Sequence, residues 1–288
     1  MPVLGIIGGS GLYDLPGLED VKEIVIETPF GLPSSPVVTG TLGETTLAFI
    51  ARHGRGHTFS PGEVPYRANV LALHSLGATH VLSVSAVGSL KESLPPRTAV
   101  VPDQIIDRTD GRPRSFFTDG VVAHVGMADP FCDAFRQDIY RHVTEVTGRA
   151  AIDGTYLCIE GPQFSTRAES NLYRSWGASI IGMTAMPEAR LAREAGLCYA
   201  TLAMVTDYDV WHDSEEDVTV SMVQRVLAEN VATGQEVVRR LARSGLPACD
   251  SSCRNALAGA VITSPEHLTD EAAARVALLR RSEPATET

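Results

Sequence analysis

Residues 182–209 read GMTAMPEARLAREAGLCYATLAMVTDYD, and this stretch decides the fold class. Pro187 suits the first turn of a helix, because the N–H that it lacks would have no partner there. Helix formers follow as far as Glu194, and Gly196 is a typical stop signal. Residues 198–205 are then a short, nearly uninterrupted apolar run, which is typical of a strand covered on both faces. The pattern predicts a helix followed by a buried strand.

The predicted buried strand ends in two acids, Asp207 and Asp209. In open α/β sheets, ligands bind beyond the carboxyl ends of the strands, so polar residues at that position form a candidate site. The alternative interpretation is a solvated exit from the strand into a loop. Polar groups at the ends of other strands would favour the site over the solvated loop.

Other predicted strand ends do carry such groups. The first strand ends at GGSG, where glycines let backbone N–H groups approach an anion and Ser10 adds a hydroxyl; a purely structural turn is an equally good interpretation. The strand before Arg52 runs into RHGRGH, a cationic loop whose arginine forks and glycines favour an anion site over a solvated turn. Further strand ends supply Ser85 and the segment EGPQFS, in which Phe164 is either a stacking face or a core residue.

Strand patterns alternate with helical ones along the chain, which predicts an α/β fold with a mostly parallel or mixed central sheet. A hairpin is expected at residues 37–51 and one continuous strand at residues 100–106. The predicted helices span residues 66–76, 130–148, 166–176 and 218–243, with a short one at 270–281. With no internal repeat, the pattern indicates one domain at residues 1–245 and a C-terminal tail at residues 246–288.

Composition excludes several classes of function. The 288 residues carry a net charge of −11, which disfavours nucleic acid or an anionic membrane as a partner. We find no apolar run of membrane-spanning length and no basic N-terminal region typical of a secretory leader. The five cysteines are an odd number, and three of them have apolar neighbours, which favours a reducing cytoplasm.

Neither a metal nor a dinucleotide cofactor is expected. Cys249 and Cys253 lie in a polar tail that offers too few further ligands for a metal. The glycine turn at Ser10 is not followed by a convincing helix, as a nicotinamide or flavin site requires. If the strand ends converge, their residues instead form an anion pocket beside a pocket for a flat, nitrogen-rich group.

Eight segments of the chain resemble, in order, the trimeric purine nucleoside phosphorylase family, and within it the 5′-methylthioadenosine phosphorylase branch. They are GIIGGSGLYD, TPFGLPSSP, ARHGRGHTFSP, HVLSVSAVGSL, IIDRT, EGPQFSTRAES, GMTAMPEARLAREAG and TDYDVW, within residues 3–243. The resemblance implies a single-domain α/β sandwich with a twisted, partly barrel-like mixed sheet flanked by helices. It also implies a homotrimer that needs no cofactor or metal, with inorganic phosphate as a co-substrate in purine and methionine salvage.

The resemblance further implies a reaction, in which phosphate attacks C1′ of a nucleoside while the purine leaves. Phosphate is then held by Ser10, Arg52, His53, Ser85, Ala86 and Thr184. Met183 lies against the ribose, and Phe164 and Ser165 pack on the base. Asp207 is the acid at N7 of the purine, and Asp209 accepts a hydrogen bond from the exocyclic N6 amine. The chemical tasks are positioning, charge stabilisation and delivery of one proton.

The substrate is the part of this interpretation with alternatives. Two acids favour 6-aminopurines, since an ionised carboxylate only accepts hydrogen bonds. Val220 and Val223 are expected at the 5′ group, followed by Gln224 where the family has an apolar residue, and His124 is expected near a neighbouring subunit's 5′ site. The alternatives are a phosphorylase acting on 5′-methylthioinosine, inosine or guanosine, and a non-catalytic nucleotide-binding regulator.

Overall fold

The computed structural model describes residues 1–12, 14–212, 220–249 and 252–279, without the side chains of Ser10 and residues 220–229. In this part of the chain the strands are β1 (Val3–Gly8), β2 (Glu19–Ile24), β3 (Val37–Leu42), β4 (Thr45–Ala51), β5 (Ala78–Ser89), β6 (Ala99–Val101), β7 (Gln104–Arg108), β8 (Ala150–Ile152), β9 (Thr155–Ile159), β10 (Ile180–Gly182) and β11 (Cys198–Asp207). The helices are α1 (Tyr66–Ser75), α2 (Asp133–Thr147), α3 (Arg167–Ser175), α4 (Ala185–Glu194), α5 (Val220–Ser244) and α6 (Asp270–Leu279).

The strands form one mixed sheet that branches at β5. The main path runs β2-β3-β4-β1-β5-β10-β9-β7, while β11 pairs with β5 and with β6, and β6 pairs with β8. Strand β5 pairs in parallel with β1 over its first half and with β11 over most of its length, and it pairs antiparallel with β10 at its end. The predicted α/β architecture, with a large mixed central sheet flanked by helices, is confirmed.

Strand β11 lies between two helical layers, and all ten of its residues are buried. Helices α1 and α4 contribute to the apolar core on one face of the sheet, and α2 and α5 to the core on the other. Burial on both faces explains the uninterrupted apolar sequence of this strand. The predicted strand at residues 198–205 is confirmed and continues through Asp207, which places the first acid on the strand itself.

The predicted helix after Gly182 is also present. Met186 has non-helical backbone angles (φ −114°, ψ 133°), so the regular part of α4 begins at Pro187. The residue before a proline is pushed towards extended conformations, which accounts for this late start.

Two regions differ from the sequence-based expectation. The strand predicted at residues 100–106 is two strands, β6 and β7, because Pro102 separates them and they pair with different neighbours. Strand β2 was not predicted, since this edge strand is almost entirely exposed and carries charges where an apolar alternation would be the signal.

The C-terminal segment packs against the rest of the chain. Helix α6, expected at residues 270–281, spans Asp270–Leu279 and buries Ala272, Val276 and Leu279 in the same core cluster as α1 and α4. Residues 280–281 lie outside the described part. Among the described helices, we find none with both the length and the apolarity needed to cross a membrane.

Candidate functional site

A cavity of about 390 Å³ lies where β5, β10 and β11 end, beside the loops after β1 and β4. It brings together predicted residues from five separate parts of the sequence. These are Arg52, His53, Ser85, Ala86, Phe164, Ser165, Met183, Thr184, Asp207 and Asp209. The strand ends therefore converge in the fold, as the sequence-based prediction assumed. The solvated-loop interpretation of Asp207 and Asp209 is wrong, because both acids are buried.

Five predicted residues are not placed in this cavity. The side chains of Ser10, Val220, Val223 and Gln224 lie outside the described part, although Gly9 and Gly11 on either side of Ser10 line the cavity. His124 lies on an exposed segment and is not among the residues that line the cavity of its own chain.

The two acids approach the end of β5 because Gly88 has no side chain. A Cβ at Gly88 would lie 3.0 Å from Oδ1 of Asp207 and 3.0 Å from a methyl group of Ile181. Such distances are too short for a side chain without movement of its neighbours. Gly88 therefore permits the junction of three strands at which the acids lie.

Asp207 is held rigidly. The Thr206 hydroxyl donates to its Oδ2 at 2.6 Å and the backbone N–H of Asp209 donates to its Oδ1 at 2.8 Å. Burial raises the pKa of the Asp207 carboxyl above its usual value, although these two hydrogen bonds oppose the shift. A buried carboxyl with a raised pKa is suited to share or deliver a proton.

Asp209 is the second acid and has a strained backbone. Its φ of 52° places it in the left-handed region, which non-glycine residues rarely occupy outside turns and functional sites. Burial, followed by the charge of Asp207, raises the pKa of the Asp209 carboxyl to about 6, although the neighbouring Ser170 hydroxyl opposes the shift. The carboxyl is thus ionised at neutral pH and becomes protonated in mildly acidic solution.

The segment that carries both acids is anchored from the outside. The indole N–H of Trp211 donates to the carbonyl oxygen of Ser89 at 2.7 Å. Arg174, on helix α3, places its guanidinium carbon 3.4 Å from the centre of the Trp211 ring. These contacts connect the turn at Asp209 to the end of β5.

The cationic loop divides into a buried part and an exposed part. Arg52 is 2% exposed, and its guanidinium hydrogen-bonds to Glu188, Ser83 and the carbonyl oxygens of Ile7 and Val84. Arg55 instead points to the surface and pairs with Glu23. The loop therefore offers one buried cation next to the cavity, not two.

Glu188 is a site-supporting residue that the sequence did not single out. Its carboxylate is fully buried, pairs with Nε of Arg52 at 2.5 Å and also accepts from the hydroxyls of Ser83 and Tyr199. A buried carboxylate needs such partners. The signal available in the sequence was an acid at the second position of a helix that is otherwise buried, immediately after Pro187.

His53 is neutral at physiological pH. Burial and the neighbouring charge of Arg52 lower the pKa of its imidazole to about 4. Its Nδ1 lies 2.9 Å from the carbonyl oxygen of Phe59, so Nδ1 carries the proton and donates. His57 stacks on the ring at 4.3 Å, with its own side chain exposed.

The loop containing Met183 and Thr184 is fastened by Arg112, another residue that the sequence did not single out. Arg112 donates to the carbonyl oxygens of Met183 and Met186, each at 2.7 Å, and its Nε donates to Glu160 at 2.9 Å. Gly182 is required just before, because a Cβ there would lie 2.0 Å from the hydroxyl of Tyr156. The long loop that contains Arg112 thus has a structural task at the site.

Several buried polar atoms lining the cavity have no hydrogen-bond partner of normal geometry among the described residues. They are Oγ of Ser85, Oγ of Ser165, Oδ2 of Asp209 and Nδ2 of Asn230. Unpaired buried polar atoms are costly and rare, so a polar ligand is the natural partner for this set. Phe164 is 44% exposed at the same cavity, which contradicts a core role and leaves its ring available for a flat ligand.

Known proteins resemble this chain over most of its length. A profile of the phosphorylase superfamily matches residues 3–243. An S-methyl-5′-thioadenosine phosphorylase from Geobacter sulfurreducens is 49% identical over 96% of this chain and 97% of its own. A crystal structure of a methylthioadenosine phosphorylase from an antarctic soil metagenomic library superposes with a TM-score of 0.90, at 47% identity over 96% of this chain and 98% of that one. The methylthioadenosine phosphorylase of Schistosoma mansoni in complex with adenine has a TM-score of 0.79, at 38% identity over 85% and 92%.

Proposed function

This chain belongs to the phosphorylase superfamily, and we propose that it cleaves 5′-methylthioadenosine with inorganic phosphate, releasing adenine and 5-methylthioribose 1-phosphate. The observation that carries the proposal is the single cavity that joins a cationic, hydroxyl-lined end to a pair of buried acids. Relatives whose sequences are about 50% identical over nearly the whole chain carry the name of this activity. The protein is thus a pentosyltransferase of purine and methionine salvage.

The reaction exchanges two bonds at one carbon. A phosphate oxygen forms a bond to C1′ of the ribose as the bond from C1′ to N9 of the purine breaks. The electron pair of the broken bond moves into the purine, which then takes a proton at N7. Burial raises the pKa of the Asp207 carboxyl, so we assign Asp207 the role of the acid that protonates N7.

The phosphate end consists of His53, Ser85, Ala86 and Thr184. Ser10, in the turn after β1, is assigned to the same end. Arg52 supplies positive charge, but its guanidinium is largely used in bonds to Glu188 and its neighbours. We therefore assign Arg52 a mixed role, in which it attracts the anion and holds the loop that carries His53.

The base end consists of Phe164, Ser165, Asp207 and Asp209. The ring of Phe164 stacks on the purine, and Oδ2 of Asp209, which lacks a protein partner of normal geometry in the described part, accepts from the N6 amine. An ionised Asp209 disfavours a 6-oxopurine, because two acceptors would then face each other without a proton between them.

The 5′ end is formed by two subunits in this proposal. Met183 lies against the ribose, while Val220, Val223 and Gln224 of helix α5 contact the 5′ group. His124 reaches the site of a neighbouring subunit, which is consistent with its exposed position away from its own cavity. The proposed assembly is a homotrimer, and Gln224 would tolerate a 5′-hydroxyl beside the methylthio group.

The proposed chemistry needs no cofactor, because phosphate is the nucleophile and Asp207 the proton donor. Five cysteines without a disulfide in the described part of the chain support a reducing, cytoplasmic setting.

An ultraviolet assay of base release tests the function. Methylthioadenosine, adenosine, methylthioinosine and inosine are compared, each with and without phosphate. We expect phosphate-dependent release of adenine, fastest from methylthioadenosine. Faster turnover of the inosine compounds would replace the base assignment by the 6-oxopurine alternative. No turnover of any substrate would favour the non-catalytic regulator.

A further inference from the structure

Four of the five cysteines converge at a place remote from the cavity. The sulfur atoms of Cys132, Cys198, Cys249 and Cys253 all lie within 4.8 Å of one another. None of these four residues is among those that line the cavity described above. The fifth cysteine, Cys158, lies apart from them on β9.

Distant parts of the chain supply the four residues. Cys132 directly precedes α2, and its N–H donates to the carbonyl oxygen of Tyr199 at 2.8 Å, which sets it beside the first residue of β11, Cys198. Cys249 and Cys253 follow α5 in the C-terminal segment. The sequence predicts no metal site because two cysteines in a tail are too few ligands; the fold adds the other two.

The cluster lies inside the protein. Cys132 and Cys198 are each 4% exposed and Cys253 is 2% exposed, in the core cluster formed by α2, α5 and β11. Cys249 is half-buried and packs against the same cluster. Metal ligands are commonly buried in this manner, with one ligand near the surface as the route of entry.

A positive charge lies beside the cluster. Nη1 of the buried Arg193 lies 3.6 Å from Sγ of Cys253. A guanidinium next to a sulfur atom stabilises the thiolate relative to the thiol. Thiolates, not thiols, are the sulfur ligands of metals.

The geometry matches a small thiophilic cation. Zinc binds four cysteines tetrahedrally with Zn–S distances of about 2.3 Å, which places the sulfur atoms about 3.8 Å apart. The observed upper limit of 4.8 Å allows this arrangement after a small contraction. Cys249 and Cys253 are separated by three residues, a spacing within the range typical of structural zinc ligands. Magnesium and calcium prefer oxygen ligands and do not fit a four-sulfur set.

We propose that Cys132, Cys198, Cys249 and Cys253 form a tetrathiolate site for a structural zinc ion, which fastens the C-terminal segment to the core. Binding forms four zinc–sulfur bonds and releases the remaining thiol protons to solvent, with no change of oxidation state. The site then carries a net charge of −2 beside the guanidinium of Arg193. Since the N–H of His124 donates to the carbonyl oxygen of Ala260 at 2.9 Å, a fixed C-terminal segment also supports the backbone at His124.

Metal content and thiol titration test the proposal on the full chain, purified without an affinity tag and under reducing conditions. We expect about one zinc per chain by inductively coupled plasma mass spectrometry, since a structural site takes one ion. Cys249→Ser, at the most accessible ligand, is expected to lose most of this zinc. Cys158→Ala, at the cysteine outside the cluster, is expected to retain it.

A spectroscopic measurement on the wild-type chain keeps the test decisive if Cys249→Ser does not fold. Cobalt added to the metal-stripped protein is expected to produce the intense visible bands of tetrahedral cobalt and a near-ultraviolet thiolate charge-transfer band. Purified protein that contains no bound metal and yields no such bands with cobalt would overturn the proposal. In a second preparation made without reductant and then unfolded, titration of a single thiol would do the same, because the four cysteines would then form two disulfides.

Discussion

At the scale of single residues, two neighbouring aspartates differ in their surroundings. Asp207 is held by two hydrogen bonds, whereas Oδ2 of Asp209 has no partner of normal geometry among the described residues. Burial raises the pKa of both carboxyls. In our proposal the first therefore delivers a proton, and the second recognises the amine of the base.

Asp207→Asn tests proton delivery. We expect the turnover number with methylthioadenosine to fall by about 10²-fold or more, because an amide occupies the same volume but cannot supply the proton. Phosphate affinity, measured by isothermal titration calorimetry, should change little. Asp14→Asn, at an exposed acid, serves as the control. Equal losses in turnover and phosphate affinity would contradict the assigned role.

Base selectivity is expected to depend on pH through Asp209. With a pKa raised to about 6, this carboxyl is ionised above pH 6 and protonated below it. A protonated Asp209 donates to a 6-oxo group and no longer accepts from an amine. The ratio of kcat/KM for methylthioadenosine to that for methylthioinosine should therefore fall as the pH is lowered from 8 to 5.

The ratio isolates Asp209, because protonation of Asp207 affects both substrates. In Asp209→Asn the ratio should be lower at pH 8, by about tenfold, and independent of pH over this range. A wild-type ratio that does not change with pH would exclude Asp209 as the residue that reads the base.

At the scale of elements, the site depends on contacts between segments that carry no catalytic group. Glu188 on α4 holds Arg52 in the loop after β4, and Arg112 joins that side of the cavity to the Met183 loop. Buried charges of this kind require their partners, since an unpaired buried ion is costly. Both contacts hold the backbone at the phosphate end of the cavity in position.

Glu188→Gln should destabilise the fold by about 3 kcal/mol, because it leaves Arg52 buried without its counter-charge. The KM for phosphate should rise as well, since the loop that carries His53 loses its anchor. Urea denaturation and steady-state kinetics measure the two effects. Glu23→Gln removes the equivalent partner of the exposed Arg55 and should change stability by less than about 0.5 kcal/mol. Equal effects of the two substitutions would exclude a special role for the buried pair.

At the scale of the whole molecule, the cavity of one chain is incomplete in our proposal. His124 lies outside it, on a segment whose backbone pairs with the C-terminal segment. A cyclic trimer would bring His124 of one subunit to the 5′ end of the next, through a head-to-tail contact.

Mixing of two defective variants tests the shared site. His124→Ala keeps Asp207 but lacks the contribution to its neighbour, while Asp207→Asn keeps His124. When equal amounts are co-refolded, about a quarter of the sites should combine an intact Asp207 with an intact neighbouring His124. Activity should then exceed the mean of the two separate variants, with trimers verified by light scattering. No gain on mixing would place His124 outside the site.

Local sequence patterns were sufficient for most elements, and together with the family resemblance they named ten of the residues that line the cavity. The apolar run of β11 predicts that strand, because burial on both faces requires apolar side chains at successive positions. Pro187 predicts the start of α4, because the N–H that proline lacks would have no partner there. The partners of Arg52 were not predictable in this manner. Their contacts join residues as much as 136 positions apart, as in the pair of Arg52 with Glu188.

The sequence by itself thus determined the α/β class, the strand ends that carry polar side chains, and the motifs on which the family resemblance rests. The tertiary structure alone decided that those strand ends meet in one cavity, that Arg52 is paired with Glu188, and that four cysteines form a cluster. The physical reason is the branching of the sheet at β5. Pairing with β1, β10 and β11 brings distant segments to one edge, and no local periodicity records such long-range pairing.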